Sequence, residues 1–356
     1  MKYLLLICFS TLFILNADAQ EMKKLMQSIS MEETQEKELG KVRWLSDYEV
    51  AKSHAAKSDR PIFILFQEVP GCHTCTGYGD QVLSHPLLVD AIENLFVPLA
   101  IFNNKDGKDA EILDLFQEPS WNNPVVRIID KNEKALTKRL AGDYTVGGLT
   151  NTLVAALKRA GKPIPTYLIL LADEWKAMDH KMEKGVFAMH CFWTGEAVLG
   201  GIDGVVKTES GFMGGKEVVR FNYDPEAVSF SKLLHEAGNK SCAGSVFYED
   251  NSQKEVALEI MGEKNVKQSS EFRKDREQKY HLLKSNYRFV PMTELQAARL
   301  NSALASKQDP TYLLSPRQQA FLQYYELRSD LRWKSLIGVP LELAWDNAMD
   351  KVKAWD

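Results

Sequence analysis

The chain has 356 residues, of which 45% are hydrophobic and 26% charged, a composition typical of a folded globular protein with room for two domains. Its formal net charge is only −4. This balance gives no electrostatic reason to expect nucleic acid or an anionic membrane as a partner.

The N-terminus has the pattern of a secretory signal peptide over residues 1–19. Lys2 gives a positive start, residues 3–15 are almost wholly apolar, and Ala17-Asp18-Ala19 is a small-x-small cleavage site. About thirteen apolar residues are too few to span a bilayer comfortably. We therefore expect cleavage after Ala19, no membrane anchor afterwards, and a periplasmic or secreted location.

Cysteine usage points to redox chemistry. Cleavage of the signal removes Cys8 and leaves Cys72, Cys75, Cys191 and Cys242. Four cysteines are a sparse disulfide framework for a chain of this length. In an oxidising compartment, few cysteines placed at helix starts favour catalysis over scaffolding.

After a charged lead-in over 20–40, the sequence predicts alternating helices and strands. A buried strand over 61–66 is apolar on both faces, as in a parallel or mixed sheet. A polar turn at 130–132 indicates a hairpin. The other expected elements are helices over 47–56, from Cys72 onward, over 109–116 and over 150–160, and strands over 94–102 and 125–129.

Pro163 and Pro165 mark the end of this first domain, placed at 41–162, because prolines so spaced cannot continue a helix. We expect a linker with a connecting helix at 163–184 and a second domain at 185–340. Capping boxes begin late helices at Thr293 and Ser315. Their apolar stripes, expected to pack against the second domain, comprise Leu300, Leu304, Ala320, Tyr324, Leu327 and Leu331.

Cys72-His73-Thr74-Cys75 places two thiols on the first turn of a helix that follows a strand. There the first thiol attacks an external disulfide and the second resolves the mixed disulfide. Half of a zinc site is the competing interpretation, but the sequence has no second Cys-x-x-Cys or His-x-x-x-His pair. His73 either helps to hold the thiolate or is a solvated residue.

This arrangement resembles the thioredoxin fold. The strand, the cysteine pair, the helix and the segment Trp121-Asn122-Asn123-Pro124-Val125 carry the resemblance. In that family the corresponding proline is cis and lies against the redox pair, which makes Pro124 the candidate here. The lead Val69-Pro70-Gly71 resembles that of exported thioredoxin-like proteins whose first active-site residue is cysteine or selenocysteine.

A second candidate nucleophile follows the apolar run 185–189. Cys191-Phe192-Trp193 is expected to open a helix, whose N-terminal N–H groups and dipole favour a thiolate. The two aromatic residues would wall an apolar pocket. A buried, unreactive cysteine is the alternative.

The segment from Gly185 to Leu234 resembles the A-type peptide methionine sulfoxide reductases, more weakly to Ala257. Cys191-Phe192-Trp193 with Glu196 matches the family's active-site signature. The second motif includes Ser210-Gly211-Phe212-Met213-Gly214-Gly215, and the third is Glu217-Val218-Val219-Arg220 with Asn222-Tyr223-Asp224-Pro225. The expected fold is therefore α/β and α+β, a thioredoxin-like domain followed by a methionine sulfoxide reductase A-like α/β domain with C-terminal helices.

The resemblance implies that Cys191 attacks a sulfoxide sulfur and becomes a sulfenic acid, with Glu217 as proton donor. Phe192 and Trp193 would hold the substrate methyl group, with Phe212 as a further substrate contact. In the first domain, Pro124 is the substrate contact.

Three features depart from the family pattern: the residue before the nucleophile, the length of one loop, and the two tyrosines that bind the sulfoxide oxygen. His190 replaces a glycine before the nucleophile, and the loop between Gly215 and Glu217 is short. Phe212 replaces one of two tyrosines that bind the sulfoxide oxygen, and Cys242 falls at the other. The segment Tyr280-His281 either supplies a replacement hydroxyl or, as its charged surroundings favour, lies on a helix surface.

Cys242 would resolve the Cys191 sulfenic acid as a disulfide, which Cys72 and Cys75 would then reduce. A buried, inert Cys242 or a static disulfide is the alternative.

We therefore expect an exported enzyme that reduces methionine sulfoxide in peptides or a related sulfoxide. The first domain would donate electrons, and an external thiol would supply them. Neither a metal nor a cofactor is expected. The alternatives are a thiol–disulfide oxidoreductase using Cys72 and Cys75, with the second domain binding clients, and a non-enzymatic redox sensor.

Overall fold

The computed structural model describes residues 22–31, 36–239 and 243–353. The predicted signal peptide and Cys242 lie outside these residues. In the described part of the chain, no helix is both long and apolar enough to cross a membrane.

The first sheet has three strands, in the order β2 (Val97–Phe102), β1 (Ile62–Gln67), β3 (Val125–Ile129). The central strand β1 runs parallel to β2 and antiparallel to β3. Every residue of β1 is buried, because helices cover both faces of the sheet. The helices of this part are α1 (22–29), α2 (Tyr48–Ser58), α3 (His73–Gln81), α4 (Pro86–Leu95), α5 (Lys108–Phe116) and α6 (Val146–Arg159).

The two faces of this sheet belong to different cores. Ile64 of β1 packs with α2 and α5, whereas Phe63 and Leu65 face the core that contains α4 and α6. The predicted hairpin after β3 is present as isolated bridges from Ile129 to Ala135 and from Val126 to Leu140. Helix α4 is an addition to the predicted elements.

The second sheet has six strands, in the order β8-β7-β4-β6-β5-β9. They are β4 (Glu183–Met189), β5 (Val205–Met213), β6 (Lys216–Tyr223), β7 (Ala243–Tyr248), β8 (Val266–Gln268) and β9 (Arg273–Lys274). The helices that follow the connecting helix α7 (Thr166–Asp179) are α8 (Phe192–Gly200), α9 (Phe230–Asn239), α10 (Asn251–Met261), α11 (Tyr280–Leu283) and α12 (Glu294–Ala305). Phe187, Val219 and Leu233 lie in the central core of this part.

A tight turn joins β5 to β6. Gly214 and Gly215 have φ angles of +54° and +75°, which side chains rarely adopt, so a two-residue turn replaces a loop. The turn fixes the register of the hairpin, in which Phe212 lies directly opposite Glu217. The short loop expected from the sequence is confirmed.

The last two helices, α13 (Pro316–Leu327) and α14 (Leu341–Lys353), pack on the first domain. Phe321, Tyr324 and Trp345 belong to the same core as Phe63 of β1. The expectation that the stripe containing Ala320 and Tyr324 packs against the second domain is therefore wrong.

A buried charge cluster explains where α13 docks. Arg317 is 2% exposed, and its backbone N–H donates to Asp90 Oδ2 on α4 at 2.9 Å. Its guanidinium pairs with Asp90 at 3.2 Å and with Glu93 at 2.6 Å. Burying these charges requires mutual pairing, which fixes α13 against α4.

Candidate active sites

The first site lies where β1 leads into α3. Cys72 is the exposed N-cap residue of α3, and Cys75 is fully buried one turn later. Their sulfurs are 3.6 Å apart and both thiols are free. The expected pair of cysteines at a helix start is confirmed.

The two thiols have opposite pKa shifts. The pKa of Cys72 is lowered, chiefly because the backbone N–H of Cys75 stabilises its thiolate. Burial raises the pKa of Cys75 to about 11. At neutral pH Cys72 is thus the stronger nucleophile, and Cys75 remains a protonated thiol.

Asn123 contacts the buried thiol. The thiol of Cys75 donates to Asn123 Oδ1 at 2.7 Å, and the peptide bond between Asn123 and Pro124 is cis. The cis conformation expected at Pro124 is confirmed. A second cis peptide bond, between Val69 and Pro70, precedes the redox pair. The sequence did not predict it.

Two further residues at this site come from positions that the sequence pattern did not single out. Glu38, 5% exposed, accepts the Gly71 N–H at 2.8 Å. The Gln67 amide, fully buried at the end of β1, donates to the Glu38 carbonyl at 2.8 Å and to the Cys75 carbonyl at 3.3 Å. Glu38 lies in a charged lead-in, so only tertiary packing reveals its burial. His73 is exposed, as in the solvated alternative.

The second site lies where β4 leads into α8. Cys191 is the N-cap residue of α8, has an extended backbone and is partly exposed. The backbone N–H of Phe192, on the first turn, donates to Glu217 Oε2 at 3.1 Å. The carboxyl group of Glu217 on β6 therefore lies at the helix N-terminus beside the candidate nucleophile.

Aromatic rings line one side of this helix start. Phe192 contacts Trp193 with ring centroids 5.6 Å apart and Phe212 with centroids 5.3 Å apart. Tyr280 stacks on Trp193 at 4.1 Å. Tyr280 begins α11, and its half-buried ring packs against an aromatic residue of the site, a contact that the helix-surface interpretation did not include.

A cavity of about 430 Å³ lies on the Glu217 side. Its lining consists of Ala188, Met189, His190, Lys216, Glu217, Ala243 and Gly244. Lys216 Nζ, on this lining, donates to the buried Ser245 Oγ at 2.7 Å. Cys242, the residue before Ala243, lies outside the described residues, so its predicted role stays a prediction.

Among the residues described, no three or more His, Cys, Asp or Glu side chains come together in a way that could hold a metal ion.

Comparison with known proteins finds two kinds of similarity. Residues 43–131 match the family model described as thioredoxin-like. The first domain is thioredoxin-like. Two solved structures, a DsbH oxidoreductase and a thioredoxin from Thermus thermophilus, are 18% and 20% identical to the chain, with TM-scores of 0.30. These alignments cover 35% and 34% of this chain and 91% and 90% of the solved chains.

The chain is also similar, over part of its length, to peptide methionine sulfoxide reductases. The Drosophila melanogaster enzyme is 34% identical over 20% of this chain and 39% of its own length. MsrA of Pelagibacter ubique is 28% identical over 25% of this chain and 82% of its own length. MsrA 1 of Nostoc is 39% identical over 15% of this chain and 43% of its own length. The chain thus spans less than half of two of these three relatives.

The structure brings together the residues of the two predicted sulfur sites, of which the first lies in the thioredoxin-like domain. Cys72, Cys75 and the residue before Pro124 come together at the first. Cys191, Glu217 and the rings of Phe192, Trp193 and Phe212 come together at the second. The catalytic and substrate-binding roles assigned to these residues stay predictions.

Proposed function

We propose that this protein is an exported enzyme that reduces methionine sulfoxide, in peptides or in a related small sulfoxide, and that Cys191 is its nucleophile. The thioredoxin-like domain would return electrons to Cys191 from an external thiol in the periplasm or outside the cell. The observation that carries the proposal is the hydrogen bond from the Phe192 N–H to Glu217 Oε2 at 3.1 Å. It brings a carboxyl group to the helix start that bears the thiol.

The first step needs a thiolate and a proton donor close together. The Cys191 thiolate attacks the sulfoxide sulfur, and the S–O bond breaks as the oxygen becomes the hydroxyl of a sulfenic acid on Cys191. The sulfoxide sulfur gains the electron pair and leaves as the sulfide. Glu217 supplies a proton to the sulfoxide oxygen during its transfer, because the S–O bond breaks slowly unless that oxygen is protonated.

The second step returns the thiol. Cys242 attacks the sulfenic acid, water leaves, and a disulfide between Cys191 and Cys242 forms. Cys72 then attacks that disulfide, and Cys75 resolves the mixed disulfide. A disulfide now joins Cys72 and Cys75, and the Cys191 and Cys242 thiols are free again. An external thiol reduces this pair. The low pKa of Cys72 and the raised pKa of Cys75 support these roles.

Because Phe212 and Cys242 stand where the reductase family has two tyrosines, other groups must activate the sulfoxide oxygen. Phe212 has no hydroxyl and lies opposite Glu217 across the β5–β6 hairpin. Of the titratable side chains on the cavity, His190 and Lys216 flank Glu217. These groups, with Glu217, are the donors available to a developing oxyanion.

The second candidate function is thiol–disulfide exchange with client proteins. Trp121 is 80% exposed and lies two residues before Asn123, which contacts the Cys75 thiol. It gives the redox site an apolar surface on which an unfolded client could bind.

The test is turnover of a methionine-sulfoxide peptide with dithiothreitol as reductant. We expect sulfide formation by the parent protein and none by Cys191→Ser, with Cys72→Ser retaining activity because dithiothreitol reaches the second site directly. Reduction of a small disulfide that requires Cys72 but not Cys191, without sulfoxide turnover, would instead establish the second candidate.

A further inference from the structure

A cavity of about 370 Å³ lies where the two parts of the chain meet, and its lining contains no residue of either sulfur site. Its walls come from the start of α4, from α7, from β5, and from the starts of α12 and α14. A volume of this size is typical of a small-molecule site. More than half of the lining residues are apolar, among them Leu171, Met292 and Leu336. The cavity is therefore suited to a small ligand with an apolar body.

Two buried side chains of this lining each have a polar atom without a hydrogen-bond partner among the described residues. These atoms are Glu174 Oε2 on α7 and His85 Nδ1 at the N-cap of α4. Glu174 is 6% exposed and His85 is 5% exposed. An unpaired polar atom in the interior destabilises the folded protein, so nearly all such atoms are hydrogen-bonded. Both atoms therefore point to a ligand that binds them.

Both unpartnered atoms are hydrogen-bond acceptors. Burial lowers the pKa of His85 to about 4, so its ring is neutral at neutral pH. The ring Nε2 lies 3.8 Å from Glu342 Oε1, and because a carboxylate only accepts, the ring proton belongs on Nε2. The lone pair is then on Nδ1. Burial raises the pKa of Glu174 to about 7, and above that pH both of its oxygens accept. The ligand must supply donors, and a primary ammonium group has three.

The charges around the cavity also favour a cation. Lys207 is the one lysine or arginine among the described lining residues, and it pairs with Glu294 at 3.3 Å. Two carboxyl groups of the lining, Glu174 and Glu342, have no lysine or arginine partner in the part of the chain that the structure describes. A bound cation would be stabilised by both of them.

We infer that this cavity is a binding site for a small primary amine with an apolar chain. Its ammonium group donates hydrogen bonds to Glu174 Oε2 and His85 Nδ1, and its chain packs against Leu171 and Leu336. Met178 and Glu342 are exposed, so the amine enters from the side that they occupy. The inference is independent of the function proposed above, because it involves neither pair of cysteines.

Calorimetric titration at about pH 8 tests the site with three ligands of equal chain length: pentylamine, 1-pentanol and pentanoate. At that pH the amine is a cation and Glu174 is ionised. We expect pentylamine to bind at least about tenfold more tightly than 1-pentanol, because hydrogen bonds between charged groups are stronger than neutral ones. Pentanoate should bind more weakly than either. Equal affinities for amine and alcohol, a preference for pentanoate, or no binding of pentylamine would overturn the inference.

Two variants assign the binding to the unpartnered atoms. Glu174→Gln keeps the shape and removes the charge, so the preference for pentylamine over 1-pentanol should fall to within about threefold. His85→Phe keeps a ring and removes the acceptor, so pentylamine should bind at least about threefold more weakly. Glu259→Gln, at an exposed glutamate of α10 outside the lining, is the matched control and should bind like the parent. An unchanged preference in Glu174→Gln would overturn the inference.

Hydrogen exchange followed by mass spectrometry locates the ligand in the parent protein, so the test does not depend on a variant that folds. Pentylamine should slow amide exchange in peptides covering 171–178 and 336–342, which carry most of the cavity wall. Peptides of α10 should exchange as in the free protein. Protection confined to other parts of the chain would overturn the inference.

Discussion

The two thiols of the thioredoxin-like domain should react with an alkylating reagent at very different rates. Only a thiolate reacts, and the pKa of Cys75 is about 11 instead of the ordinary 9.0 because the sulfur is buried. At pH 7 about one Cys75 in ten thousand is ionised, against about one in a hundred for an unperturbed thiol. The pKa of Cys72 is lowered, so its ionised fraction is larger still.

We therefore expect iodoacetamide to modify Cys72 at least about 100-fold faster than Cys75 at pH 7 in the reduced protein. The rate at Cys75 should rise about tenfold per pH unit until the pH nears 11. Peptide mass mapping over a pH series measures both rates, and the urea-unfolded protein is the control in which they should converge. Rates within about tenfold of each other at pH 7 in the folded protein would refute the assignment of attacking and resolving thiols.

Four substitutions test other parts of the structure. Glu217→Gln should lower sulfoxide turnover about 10²- to 10⁴-fold with the melting temperature unchanged, because the amide still accepts the helix N–H but cannot donate a carboxyl proton. Gly79→Ala should destabilise the first domain in urea unfolding, because a Cβ there would lie 1.9 Å from a backbone oxygen. Gly77→Ala on the same helix meets nothing within 4 Å and should stabilise by up to about 1 kcal/mol. Arg317→Met should lower the free energy of unfolding by about 3–5 kcal/mol, since Asp90 stays buried without its partner.

For each of these predictions, one result would contradict the stated role of the residue. Full turnover in Glu217→Gln would remove that carboxyl group from the reaction. Equal effects of alanine at Gly79 and Gly77 on the free energy of unfolding would mean that the close backbone contact at Gly79 does not require glycine. A loss below about 1 kcal/mol in Arg317→Met would mean that the ion pairs do not hold α13 in place.

The local elements of the first domain could be predicted because their signals are local. The run at 61–66 is apolar throughout, and β1 occupies 62–67 with every side chain buried. The helix predicted over 47–56 is α2, with Asp47 as its N-cap residue accepting the Val50 N–H. The position of Cys72 at a helix start likewise follows from the strand and the turn before it.

The walls of the sites could not be predicted, because they depend on contacts between distant segments. Tyr280 lies in a charged stretch with no apolar periodicity, and its contact with Trp193 depends on β9 pairing with β5. The docking of α13 depends on Arg317 meeting Asp90, more than two hundred residues earlier in the chain. Hydrophobic periodicity carries no information about such pairings.

The central claim is that two sulfur sites of one chain pass electrons to a sulfoxide. The most direct measurement is the amount of sulfide formed when the fully reduced protein meets excess methionine-sulfoxide peptide without any added reductant. Each sulfoxide consumes two electrons, so Cys72, Cys75, Cys191 and Cys242 together should yield about two sulfides per chain. A variant with both Cys72 and Cys75 changed to Ser should yield about one. Equal yields from the parent and this variant would contradict electron transfer from the thioredoxin-like domain, and no sulfide from either would contradict sulfoxide reduction itself.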